Sequence, residues 1–190
     1  MVTLMVLGFL SLAFLGYLVS VYNGLVRVGT EVKLAWSNID VLLVQRHDEL
    51  PKLVEVCRQY MQFEGDTLER VMKARSGMDA ARSTGSVSAV GTAERDLRAG
   101  ISGLYAVAER YPDLKSNEAF KHLQLRVSGL ETAIADRREV YNDAVNANNI
   151  RVRTFPDALI ANFGNFPQAH LLKFEATEKA DVDMKALFAR

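Results

Sequence analysis

The residues best suited to chemistry are Arg46, His47, Asp48 and Glu49, which put a guanidinium, an imidazole and two carboxylates in one run. A metal ion would need these donors to converge. The apolar spacing around the run is helical, and consecutive residues on a helix project in different directions, so they do not close on one ion. His122 and His170 belong to no His-x-x-x-His or Glu-x-x-His pair of the kind helical zinc and di-iron sites use. There is no glycine-rich phosphate loop and no nucleophile elbow. Cys57 is the single cysteine, which excludes an internal disulfide; it falls on an apolar stripe and reads as a buried, inert thiol. No catalytic, cofactor-binding or metal residue is assigned, and no enzymatic activity is expected.

The remaining polar residues point to structure and recognition. Arg46 interrupts the apolar stripe of the first helical stretch, while Glu131 and Arg138 lie on a later one. Antiparallel packing would bring Arg46 opposite Glu131, and a buried arginine must be paired because an unpaired buried charge costs several kcal/mol. An ion-pair network that fixes helix register is the expectation. Trp36 and Asp40 lie one turn apart, suiting a tryptophan packed between helices or a recognition surface. Tyr141-Asn142 and Asn148-Asn149 place amides where they can set register.

Long helices must position these residues. Over 21–75, Leu25, Val28, Val32, Ala35, Ile39, Leu42, Leu50, Leu53, Cys57, Tyr60, Leu68 and Val71 recur mostly at steps of three or four. Glu64 is a second charge on this face. Pro51 lies inside the pattern, predicting a kink near 47–50. The helix is expected to weaken at Gly65 and end near Ser76-Gly77, with the small, polar run 76–91 as a loop. A second helix is expected from Thr92 to about Tyr111, ended by Pro112. A third, capped by Ser116 or Asn117, runs to about Thr154 on the stripe Phe120, Leu123, Val127, Leu130, Ile134, Tyr141, Val145 and Val152. A short fourth follows Phe155-Pro156 and is capped by Gly164. Leu171, Leu172 and Phe174 are candidate docking residues in the tail.

Upstream, residues 1–22 carry no charged side chain. As a helix they span about 33 Å, the thickness of a bilayer core. No basic residue precedes the apolar core and no Ala-x-Ala site follows, so a retained signal anchor is expected, not a cleaved peptide. Tyr17 and Tyr22 suit the interfacial belt, and Arg27 and Lys33 after the span put the N-terminus outside and the following domain in the cytoplasm. The 23 Lys and Arg balance the 23 Asp and Glu. No basic excess or aromatic platform for nucleic acid exists.

Tyr22-Asn23-x-Leu25-Val26, Ala35-Trp36-Ser37-Asn38-Ile39-Asp40-Val41 and Arg46-His47-Asp48-x-x-Pro51-x-Leu53-Val54 occur in an order that resembles the LemA family. Tyr111-Pro112-Asp113-Leu114-Lys115, Glu131, Arg138-x-x-Tyr141-Asn142 and Phe155-Pro156 extend the resemblance over nearly the whole chain. Met61-Gln62-Phe63 and Asn148-Asn149 depart from the usual pattern. The resemblance implies a single-pass bacterial inner-membrane protein with a helical-bundle domain, one branch of the family being found among proteins of magnetosome membranes. It brings no enzymatic activity.

The expected fold is all-α, a transmembrane helix running into a long antiparallel bundle of three long helices and a short fourth. Its expected domains are an anchor (1–22), a bundle (23–156), and a short helix with the C-terminal tail (157–190). The expected role is a membrane-anchored scaffold or adaptor, with the lipid bilayer and further copies of itself as partners. The alternative is an accessory subunit of a membrane protease or transport system, with a membrane-protein partner. Trp36, Asp40, Arg46, Pro51, Glu131, Arg138, Tyr141 and Asn142 are the expected structural and interaction residues. Gly8, Gly16, Ala13 and the serines at 11 and 20 offer small helix-packing surfaces in the span.

Overall fold

The computed structural model describes residues 1–174. Every regular element among them is a helix: α1 (Val2–Tyr60), α2 (Gly65–Ser83), α3 (Val87–Ala108), α4 (Pro112–Ser116), α5 (Glu118–Arg153) and α6 (Asp157–Phe163). The protein is all-α, a long apolar N-terminal helix leading into a helical bundle. Two compact units form, residues 1–46 with 127–171 and residues 47–126 with 172–174.

In the first unit α1 and α5 run antiparallel. The Trp36 and Tyr141 rings meet at 5.4 Å, a Cβ on Gly29 would stand 3.9 Å from Asn148 Oδ1, and Gly24 lies beneath the Arg151 guanidinium. Each step forward along α1 is therefore matched by a step back along α5. The facing stripe of α5 is Val127, Glu131, Ile134, Arg138, Tyr141, Val145, Asn148 and Val152, spaced alternately by four and three. That rhythm keeps one face of a helix on its neighbour. α6 closes this end, where Ala161 joins Val21, Leu25 and Val152 in a cluster with Ile160 and Phe166 against it.

In the second unit the last part of α1 meets the start of α5, again antiparallel. Arg126 Nε donates to Glu49 Oε1 at 2.9 Å, and Asn117 Nδ2 donates to Tyr60 Oη at 2.9 Å. Asn117 also caps α5, its Oδ1 accepting from the Phe120 N–H at 3.0 Å. α2 and α3 pack on each other, with Leu68, Val71 and Met78 facing Leu97, Ile101 and Leu104 as the buried rows.

Three helix boundaries differ from expectation. The first helix does not reach Ser76-Gly77: it ends at Tyr60, and Met61–Glu64 form a turn. Glu64 thus leaves the apolar stripe, receiving Arg110 Nη2 at 2.8 Å and the Tyr111 hydroxyl at 3.2 Å. Residues 76–91 are mostly helix, α2 running through Gly77 and α3 starting at Val87 behind Ser86, whose Oγ accepts from the Ala89 N–H. The cap is Ser86, not Thr92. Small residues in these helices serve close packing: a Cβ on Gly100 would lie 3.6 Å from Val71 Cα, and one on Gly91 would overlap the Lys173 carbonyl oxygen. Pro51 does not end α1, which continues through it. Of the tail, Leu172 and Phe174 dock fully buried while Leu171 stays partly exposed; residues beyond 174 lie outside the described ones.

Candidate interaction surface

α1 begins with a stretch long and apolar enough to cross a membrane, with mean hydropathy 2.3 over eighteen residues and none of that stretch buried. Large side chains there, from Leu4 to Leu15, stand open. Beyond the span, the same helix presents two faces. Leu25, Ala35, Ile39 and Leu43 are buried in the first unit, so the inner face of this stretch is already covered. The opposite face is open, and it too is apolar: Val26, Leu34, Val41 and Val44 are exposed at 42, 62, 55 and 36%.

The steps from Val26 to Thr30, Leu34, Ser37, Val41 and Val44 are four, four, three, four and three, which places all six on one helix face. Its two hydroxyls are internally satisfied. Thr30 Oγ1 donates to the Val26 carbonyl at 2.8 Å and Ser37 Oγ to the Lys33 carbonyl at 3.0 Å. Covering the face would therefore strand neither hydroxyl proton, removing the main desolvation penalty such groups carry. Lys33 lies among them on a stem long enough to carry its ammonium past a neighbour.

The expected structural residues fall largely within the first unit. Trp36 packs on Tyr141, whose hydroxyl donates to the His170 carbonyl at 2.9 Å. Burial pushes the Tyr141 phenol above its ordinary range, which keeps that donor protonated. Arg46 is fully buried. Asp40, Glu131, Arg138 and Asn142 are half-buried, and none of the five is without a polar partner. The register carried on from Trp36 and Tyr141 sets Arg46 at the level of Glu131. Pro51, half-buried, belongs to the second unit.

Other polar residues hold the fold in ways their spacing did not reveal. Asn149 grips an extended segment with both ends of its amide: Nδ2 donates to the Ala169 carbonyl at 2.9 Å and Oδ1 accepts the Ala169 N–H at 2.8 Å. Asn148 Nδ2 donates to the Pro167 carbonyl at 3.3 Å. In the second unit, Arg75 donates through Nη2 to His47 Nε2 and through Nε to the His47 carbonyl at 3.1 Å. An arginine only donates, so Nε2 is the acceptor, and Nδ1 lies 3.1 Å from Asp79 Oδ1. Among the described residues, no three His, Cys, Asp or Glu side chains are placed to hold a metal.

The sequence profile of the LemA family matches residues 35–185. The chain belongs to the LemA family. A magnetosome protein MamQ of Paramagnetospirillum magneticum is 26% identical over 190 residues, covering 87% of this chain and 70% of the relative. The protein LemA of Metamycoplasma hominis is 24% identical over 169 residues, covering 87% of this chain and 74% of the relative. Neither name carries a reaction. Family and apolar helix together support membrane association.

Proposed function

We propose that this LemA-family protein is a non-catalytic, membrane-anchored scaffold that assembles with copies of itself through the outer face of α1. The anchor is the apolar start of α1, and the bundle that follows lies on the cytoplasmic side by the charge bias of Arg27 and Lys33. The observation that carries the reading is the face built from Val26, Thr30, Leu34, Ser37, Val41 and Val44, apolar at its large positions and with its hydroxyls already satisfied.

Covering the four large residues would contribute roughly 4 kcal/mol per protomer at about 25 cal/mol per Å² of apolar surface. Two copies then gain about 8 kcal/mol, within the range that association costs in solution. Confinement of both copies to one membrane reduces that cost. Gly8 and Gly16, whose surroundings are open, let neighbouring spans approach closely.

The particle mass of the full-length chain in mild detergent tests this. A discrete multiple of the chain mass is expected, falling to the monomer in Leu34→Glu/Val41→Glu. A monomeric wild type would favour the accessory-subunit reading, in which the same face receives a different membrane protein.

A further inference from the structure

The residues flanking and forming α6 present a second apolar face. Phe155, in the turn before it, and Leu159 and Phe163 within it are exposed at 77, 64 and 95%. Leu159 and Phe163, four residues apart, share one side of the helix, and Phe155 stands exposed in the turn that leads into it. The other side is fixed to α1 close to the end of the apolar span, through Ala161 against Val21 and Leu25 and through Phe166, whose ring meets Tyr22 edge-on at 5.4 Å. Between α6 and α1 lies an open cleft of about 500 Å³, lined by Leu18, Val19, Tyr22, Leu159, Ile160 and Phe163.

A turn and helix this short have no reason to expose three large apolar side chains to water. Its position supplies one. Residues 18–22 are where the span reaches the bilayer surface, so a face pinned beside them lies at the same depth. Arg27 and Arg153 are exposed in the same unit, and Arg151 is turned inward by its bond to Asp157 Oδ2 at 2.7 Å.

We propose that α6 is an interfacial membrane element: Phe155, Leu159 and Phe163 enter the boundary between headgroups and acyl chains, and a lipid acyl chain occupies the cleft against Leu18 and Tyr22. The proposal rests on the anchor reading. α6 would then be a second contact with the membrane, fixing the inclination of α1 at its point of exit.

The test uses the full-length protein in vesicles of phosphatidylcholine and phosphatidylglycerol, with bimane attached at Leu12→Cys, Phe163→Cys or Leu125→Cys. All three sites are exposed, so none disturbs the core, and the native Cys57 is buried. Lipids brominated on their acyl chains are the quencher. Strong quenching is expected at 12 and 163 but not at 125, with position 163 about 5–10 Å beneath the headgroup boundary, the depth of an interfacial helix. Quenching at 12 alone would overturn the interfacial role of α6 and leave the anchor standing. Quenching at neither 12 nor 163 would overturn both, and equal quenching at all three sites would remove the positional argument.

Discussion

Arg46→Met is the most informative single substitution inside the bundle. Arg46 is fully buried, and the α1–α5 register sets it at the level of Glu131, which lies on the stripe between Val127 and Ile134. Removing one partner of a buried ion pair costs about 3–5 kcal/mol, because the other charge is left uncompensated. Glu131 keeps part of its surface in water, which lowers the expected loss to about 2–3 kcal/mol. Methionine fills much of the vacated volume, so a cavity adds little. At about 2–4 °C per kcal/mol for a chain of this length, Tm should fall by about 4–12 °C. The assay is thermal unfolding followed by far-ultraviolet circular dichroism on the full-length protein in mild detergent. Arg46→Met/Glu131→Met should recover part of the loss, with a coupling of at least about 1 kcal/mol. An unchanged or raised Tm in Arg46→Met, or a coupling within about 0.3 kcal/mol of zero, would refute the pairing.

Glycine substitutions should separate close packing from open surface. A Cβ on Gly91 meets a backbone carbonyl, whereas Gly129 in α5 has nothing within 4 Å. Gly91→Ala should therefore destabilise by about 1–3 kcal/mol and Gly129→Ala stabilise by about 0.5–1 kcal/mol, both read from urea unfolding. Cys57 should resist Ellman's reagent until the protein is unfolded, since burial pushes its thiol from 9.0 to about 12. The folded state thus keeps its proton longer than the unfolded state. Its contribution to stability is complete below pH 9.0 and is lost as pH rises toward about 12. The unfolding free energies of wild type and Cys57→Ala should converge over that range.

Much of this molecule was readable from residue spacing, and the exceptions share a cause. The stripes of α1 and α5 are long enough that period alone located both helices, while the meeting of Trp36 with Tyr141 emerged only from their packing. Proline and asparagine marked the ends of the later helices through backbone sterics and capping. Residues 76–91 misled because glycine, serine and alanine suit a loop and a tight helix pair equally well. Only the neighbour decides, and at Gly91 the Lys173 carbonyl stands where a side chain would be. The open face of α1 was likewise illegible as a site. Its valines and leucine are ordinary helix residues until the coverage of the opposite face is known. Asn149 was readable as a register-setting amide, but its partner was not, because Ala169 contributes only backbone.

The most direct test of the scaffold reading is oxidative cross-linking in intact membranes of full-length protein carrying Leu34→Cys, Val41→Cys or, as a comparison, Leu125→Cys. All three positions are exposed. If copies meet through the outer face of α1, the first two should form disulfide-linked dimers in high yield and the third should not. Efficient cross-linking at Leu125 with none at 34 or 41, or none at any site, would contradict it.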